Sequence, residues 1–97
     1  MPKAYVICDI EVTDPVAYAE YRKLSGPALE KHGGRFLVRG GATEVLEGDR
    51  KPGRVVVAEF PSVEAARAWY DSPEYLEARR VREGASRGSF VLVEGAD

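Results

Sequence analysis

The segment His32–Gly41, HGGRFLVRGG, decides the fold because it marks the passage from a helix into a strand. It contains the only histidine of the chain and four of its ten glycines. Gly33-Gly34 predicts a helix stop, since glycine readily adopts the left-handed conformation that ends a helix. Arg35–Arg39 then predicts a strand, which Gly40-Gly41 interrupts. The sequence leaves open whether Thr43–Leu46 continues this strand after a bulge.

The residues before His32 predict a strand followed by a helix. Ala4–Val12 is rich in β-branched and aromatic residues, as strands are. Asp14 can cap a helix, and Pro15 suits the first helical position, where its missing N–H costs nothing. Pro27 predicts a kink later in the same helix. The apolar face of this helix follows at near-helical spacing: Tyr18, Tyr21, Leu24, Ala28 and Leu29.

The rest of the chain predicts a strand, two short helices and a last strand. Arg54–Phe60 (RVVVAEF) is the strongest strand signal, and Ser89–Glu94 is the final one. Ser62 and Ser72-Pro73 each predict a helix start. The order βαββα(α)β predicts an α+β, ferredoxin-like fold with a four-stranded antiparallel sheet and helices on one face. We expect a single domain over residues 1–97.

Composition excludes several classes of protein. The 97 residues are 31% charged and 44% hydrophobic with a net charge of -2, which is typical of a globular domain and argues against nucleic acid as a partner. The chain has no apolar run of about 18 residues, so we expect no membrane span. Asp9 and Glu11 lie near the N-terminus, where a signal peptide has no acids. The one cysteine, Cys8, cannot form an internal disulfide, which favours a cytoplasmic location.

Alternation along the strands divides the predicted sheet into two faces. The face assigned to the helices is apolar: Val6, Cys8, Ile10, Phe36, Val38, Val56, Ala58, Phe60, Val91 and Val93. The other face is mixed: Tyr5, Ile7, Asp9, Glu11, Arg35, Leu37, Arg39, Val55, Val57, Glu59, Phe90, Leu92 and Glu94. At about 25 cal/mol per Å², leaving its apolar centre in water costs several kcal/mol, so we expect a homodimer packed sheet to sheet. A solvated face with scattered apolar residues is the alternative.

Four motifs together resemble a known family. They are the segment His32–Gly41, EFPS at 59–62, Trp69-Tyr70, and SPEY at 72–75. The combination is similar to a family of small bacterial proteins of unknown function within the dimeric α/β-barrel superfamily. The resemblance spans essentially the whole chain and implies two sheets that close into a barrel across a dimer. The superfamily also includes cofactor-free monooxygenases and haem-degrading enzymes, but fold alone does not transfer those activities.

His32 is the candidate catalytic residue, because it is the one side chain expected to titrate near neutral pH. The predicted topology places it at the end of the first helix, near Tyr5 and Glu59. It could act as a general acid or base oriented by Glu59 or by a tyrosine. Alternatively, His32 serves only to complement the dipole at the C-terminus of the helix.

A cleft between the first helix and the sheet is the candidate ligand site, with Tyr18, Tyr21, His32 and Trp69 expected on its walls. Core packing alone is the alternative role for these aromatic residues. Arg39, before Gly40-Gly41, could hold a carboxylate of the ligand in a bidentate pair. Alternatively, Arg39 forms an ion pair with Glu59 or with an acidic residue of the partner subunit, and the sequence favours neither role.

Other chemistries find no support in the sequence. One histidine and one cysteine cannot form a zinc site of the usual kind, and no glycine loop opens a helix to cradle phosphates. His32 does not match the axial position of the haem-binding relatives, so we expect no metal and no cofactor. A basic cluster, Arg79, Arg80, Arg82 and Arg87, is expected to be a solvated helix face neutralised by Glu74, Glu77 and Glu83.

Two functions are consistent with these patterns. In the first, a homodimer binds a small, partly apolar or anionic molecule and acts on it without a cofactor. In the second, the dimer is a non-enzymatic structural or regulatory module. The sequence leaves open whether the protein is an enzyme.

Overall fold

The seven elements of the fold follow the predicted order. A computed structural model of the protein describes residues 2–96. Within them, the elements are β1 (Ala4–Val12), α1 (Pro15–Lys31), β2 (Arg35–Arg39), β3 (Arg54–Phe60), α2 (Val63–Tyr70), α3 (Pro73–Arg82) and β4 (Ser86–Glu94). The last strand therefore begins three residues earlier than predicted. Thr43–Leu46 is not a strand: it belongs to an exposed arm, residues 41–53, between β2 and β3.

The four strands form one antiparallel sheet in the order β2-β3-β1-β4. The two central strands, β3 and β1, are adjacent although a strand and a helix separate them in sequence, which is the ferredoxin-like arrangement. The fold class predicted from the sequence is thus confirmed. All three helices begin at a capping side chain, since Asp14, Ser62 and Ser72 each accept a hydrogen bond from a backbone N–H three residues on.

The register of β4 reverses the faces predicted for this strand. Phe90 lies opposite Cys8, and Val91 lies opposite Ile7. Phe90 and Leu92 therefore share the helix-covered face of the sheet, whereas Val91 and Val93 lie on the open face. The prediction was wrong because four apolar residues follow one another in this strand, so their alternation does not specify a register.

A bulge in β2 corrects two further predictions. Phe36 lies opposite Ala58, but the register shifts before the next pairs, which are Val38 with Val57 and Arg39 with Val56. The extra residue, Leu37, moves everything after it to the opposite face. Val38 therefore lies on the open face, and Arg39 lies on the face covered by the helices.

The core lies between the sheet and the helices, where α1 packs mainly against α3. Its largest fully buried side chains are Tyr75, Phe60 and Leu29. No helix formed by residues 2–96 covers the other face of the sheet, which leaves apolar side chains such as Ile7 and Val91 exposed. Within residues 2–96, none of the helices has the length and apolar character needed to cross a membrane.

Candidate functional site

A narrow cleft opens between α1 and the helix-covered face of the sheet. Its volume is about 30 Å³, room for one or two water molecules. Four of the five residues predicted for the site, Tyr18, Tyr21, Arg39 and Trp69, line this cleft together. The remaining lining residues are Val6, Cys8, Ile10, Arg22, Ser25, Leu29, Phe36, Arg54, Val56, Ala58 and Phe90.

Aromatic residues form the walls of the cleft and hold one another in place. Tyr18 and Tyr21, one turn apart on α1, have ring centroids 5.2 Å apart. Trp69, near the end of α2, lies 4.2 Å from the ring of Tyr75 and 5.2 Å from that of Phe60. Such contacts fix the orientation of the rings, so the walls are preformed.

Burial keeps the reactive groups at the floor of the cleft neutral. Desolvation raises the pKa of the Cys8 thiol to about 12, and it also raises the pKa of Tyr21. A thiol with so high a pKa is a poor nucleophile at neutral pH. Cys8 is therefore not suited to act as a nucleophile in this cleft.

Three arginines give the cleft a positive charge. Arg39 reaches it because of the bulge in β2, and its guanidinium stacks 4.2 Å from the ring centroid of Phe36. Arg22 projects from α1, and Arg54 from the start of β3. None of the three is within salt-bridge distance of a carboxylate among residues 2–96. The cleft thus combines apolar walls with uncompensated positive charge.

Two buried N–H groups of the cleft lack an acceptor. Within residues 2–96, Arg54 Nε and Trp69 Nε1 are buried and make no hydrogen bond. Most buried donors in folded proteins are paired, so each exception indicates strain or a role in binding. The guanidinium of Arg54 lies directly against Gly40, whose φ is +77°. The positive φ favours glycine at this position, and a side chain there would displace the Arg54 guanidinium.

His32 lies outside the cleft. Its ring nitrogen Nε2 is 3.4 Å from Glu74 Oε1, at the start of α3, and Lys31 Nζ is 3.3 Å from the other oxygen of the same carboxylate. Desolvation opposes ionisation of Glu74, but hydrogen bonds from Lys31 and His32 outweigh it and hold its pKa below the usual range. The expected partner of His32 was Glu59 or a tyrosine, and the structure places Glu74 there instead.

Glu59 belongs to the open face of the sheet. It accepts hydrogen bonds from Arg35 Nε at 2.8 Å and from Tyr5 Oη at 3.2 Å, and Lys3 Nζ is 3.6 Å away. These donors outweigh desolvation and lower the pKa of Glu59. The alternative in which Glu59 pairs with Arg39 is therefore wrong, because Arg35 occupies that position.

Arg22 and Arg54 line the cleft although they were not among the predicted site residues. The position of Arg54 could have been predicted from the alternation of side chains along β3. Arg54 is separated by an even number of residues from Val56, Ala58 and Phe60, so it lies with them on the helix-covered face. Nothing in the sequence singles out Arg22, because charged residues commonly flank the apolar stripe of a helix. No group of three His, Cys, Asp or Glu side chains placed to hold a metal occurs among the described residues.

Fold and cleft together define a ferredoxin-like α+β domain with an aromatic, arginine-rich cavity under its first helix. The chain belongs to the family described as "Domain of unknown function (DUF1330)", whose model matches residues 3–96. This confirms the resemblance to a family without assigned biochemistry. No curated protein matches the chain.

Solved structures share the fold over the full length of the chain. A protein of unknown function from Rhodopseudomonas palustris, RPA0582, has a TM-score of 0.76 at 25% identity, over 99% of this chain and 84% of that one. SnoaB from Streptomyces nogalater, a cofactor-independent oxygenase, has a TM-score of 0.67 at 13% identity, over 100% and 96%. A dimeric ferredoxin-like protein of unknown function from Thermobifida fusca has a TM-score of 0.56 at 20% identity, over 99% and 92%.

Proposed function

We propose that the protein binds a small, partly apolar, anionic molecule in the cleft under α1. The observation that supports this most directly is the pair of buried N–H groups, Arg54 Nε and Trp69 Nε1, which have no acceptor among the described residues. An oxygen-bearing ligand in the cleft would supply the acceptors. Arg39, held by its stack on Phe36, keeps its N–H edge free for a carboxylate.

Binding requires the cleft to widen. A volume of about 30 Å³ is well below the roughly 300 Å³ at which small-molecule sites begin. The exposed side chains of Arg22 and Arg39 stand at its edge and are the groups with room to move.

The working unit we propose is a homodimer formed through the open face of the sheet. Ile7, Val91 and Val93 are 42%, 52% and 42% exposed at its centre, which makes an apolar patch that water solvates poorly. Ion pairs surround this patch: Glu59 with Arg35, Asp9 with Arg50, and Glu11 with Arg87. Relatives of the same fold from Thermobifida fusca and Bacteroides fragilis are described as dimeric. The cytoplasm is the proposed location, since the lone, buried Cys8 is a free thiol.

Cofactor-free chemistry on the bound molecule is the second candidate function. Buried donors such as Arg54 Nε would stabilise an oxyanion that develops on the bound molecule. SnoaB, which has the same fold, is described as a cofactor-independent oxygenase. The acid–base role predicted for His32 stays a prediction, and it would require the substrate to reach beyond the cleft.

Fluorescence of Trp69, the only tryptophan, tests the binding proposal. We expect 2-naphthoate to change this fluorescence, and the neutral 2-naphthylmethanol to bind at least about tenfold more weakly. Arg39→Gln should weaken naphthoate binding by about tenfold or more. The matched control is Lys23→Gln, which removes a positive charge from the exposed side of α1 and should change affinity by less than about twofold.

Two results would overturn the proposal. One is that Trp69 fluorescence does not respond to naphthoate at concentrations up to about 10 mM, because binding weaker than this has no functional significance. The other is an equal loss of affinity in Arg39→Gln and Lys23→Gln, which would mean that only the overall charge matters. Either result would favour the non-enzymatic structural or regulatory module.

A further inference from the structure

The basic cluster near the C-terminus is not neutralised in the way the sequence suggests. Glu74 pairs with Lys31 and His32 at the opposite end of α3, so it does not reach the cluster. Arg80 pairs with Glu77 at 3.5 Å. Arg79 and Arg82 make no ion pair with any described carboxylate. Two of the four arginines therefore keep their charge available.

Aromatic rings hold these two arginines in place. The guanidinium carbon of Arg79 lies 4.3 Å from the ring centroid of Tyr70, and that of Arg82 lies 4.3 Å from the ring of Phe90. A stacked guanidinium keeps its N–H edge free to donate hydrogen bonds. Because stacking already restricts the side chain, binding a ligand would cost less conformational entropy than at a mobile arginine.

Both arginines border a groove between α3 and β4 with a volume of about 650 Å³, within the range of small-molecule sites. Arg80 and Arg87 also line it, and Glu83 is the one carboxylate of its lining. This concentration of positive charge lies on a chain whose net charge is -2, so it is local. A local excess of this kind raises the concentration of anions at the groove.

From this juxtaposition we propose that the groove between α3 and β4 is a second ligand site, which binds a small dianion such as a phosphate ester or a dicarboxylate. Arg79 and Arg82 lie one turn apart on the same side of α3 and would each hold one negatively charged group. The groove adjoins the cleft under α1, with which it shares Phe90 and Ile10, but its arginines are different from those of the cleft.

A purely structural role for these arginines makes a different prediction. All three of Arg79, Arg80 and Arg82 lie in the last turn of α3, where positive charge complements the helix dipole. If that were their only role, replacing them would lower the stability of the protein, and small dianions would not distinguish one arginine from another.

Calorimetry on the full chain at low ionic strength separates the two roles. We expect inorganic pyrophosphate and succinate to bind, with acetate, a monoanion, binding at least about tenfold more weakly. Arg79→Gln/Arg82→Gln should lose at least about tenfold in affinity for pyrophosphate. The matched control, Lys23→Gln/Lys31→Gln, removes the same charge from side chains outside the groove that are paired with Glu20 and Glu74, and should lose less than about threefold.

If Arg79→Gln/Arg82→Gln does not fold, a conservative variant still tests the proposal. Arg79→Lys/Arg82→Lys retains the charge but loses the planar donor edge and the stacking, so it should also bind pyrophosphate more weakly than the wild type. Arg39→Gln should leave pyrophosphate binding unchanged, since its effect belongs to the cleft. Three results would each overturn the proposal. They are equal losses of pyrophosphate affinity in the two double glutamine variants, unchanged affinity in the lysine variant, and no preference for dianions over acetate.

Discussion

The phenol oxygens of Tyr21 and Tyr75 lie 2.7 Å apart in the interior, where their hydrogen bond joins α1 to α3. Tyr75 is fully buried and also packs against Trp69. It therefore positions two walls of the cleft, Tyr21 and Trp69, without lining the cleft itself. Burial raises the pKa of both tyrosines, so the pair stays neutral.

Removing both hydroxyls of this pair should cost less than the sum of the two single removals. Tyr21→Phe leaves the Tyr75 hydroxyl buried without its partner, which costs about 1–3 kcal/mol of unfolding free energy. In Tyr21→Phe/Tyr75→Phe no unpaired hydroxyl remains. Denaturant unfolding of the two single variants and the double variant checks this, and we expect the double variant to be more stable than the sum of the single losses predicts. Additive losses would contradict a direct hydrogen bond.

Gly40 should prove important for the cleft as well as for the backbone. Gly40→Ala strains a left-handed backbone position and displaces the Arg54 guanidinium that packs against it. Gly48→Ala is the matched control, because its φ of +96° imposes the same kind of strain while the space around it is open. Both variants should lose about 1 kcal/mol of stability from strain.

Only Gly40→Ala should also lose affinity for 2-naphthoate, measured through Trp69 fluorescence. An equal affinity in the two alanine variants would show that Arg54 takes no part in binding.

A charge at the centre of the open sheet face should dissociate the proposed dimer. Val91→Glu places an unpaired carboxylate in the apolar patch, where burial against a second subunit would be costly. Sedimentation equilibrium at about 10 µM should show a dimer for the wild type and a monomer for this variant. Val16→Glu, at a site 78% exposed on α1, should remain a dimer. A wild type that is monomeric at this concentration would contradict the sheet-to-sheet contact.

The order of elements could be predicted from the sequence because each boundary has its own local chemistry. Asp14-Pro15, Ser62 and Ser72-Pro73 start helices, and Gly33-Gly34 ends one, whatever the rest of the chain does. The faces of β2 and β4 could not be predicted, since each contains consecutive apolar residues and its register depends on the neighbouring strand.

The same limit applies to the candidate site. Tyr18, Tyr21 and Trp69 follow helical spacing, so their meeting in one cleft was foreseeable. The sequence indicates Arg39 as an anion holder but predicts it on the open face, and the bulge at Leu37 is what brings it into the cleft. For Arg79 and Arg82, glutamates nearby in sequence imply neutralisation, whereas Glu74 pairs elsewhere in the structure.

Acid should release the exposed arm, residues 41–53, from the sheet. Asp9 in β1 accepts a hydrogen bond from the backbone N–H of Gly53 at 2.8 Å and one from Arg50, and these two donors hold its pKa below the ordinary value of 3.8. A carboxyl whose pKa is lower in the folded state stabilises that state above its ordinary pKa. The stabilisation is lost as the pH falls through the lowered value.

Thermal unfolding of the wild type and Asp9→Asn from neutral pH to about pH 2 measures this linkage. The wild type should be the more stable at neutral pH, and the difference should shrink once the pH falls below about 4. Glu47→Gln is the control, because Glu47 is an exposed carboxylate of the same arm that makes no ion pair within residues 2–96. This variant should not show the loss of stability expected for Asp9→Asn at neutral pH. A constant difference between the wild type and Asp9→Asn across the whole range would mean that the charge of Asp9 does not hold the arm.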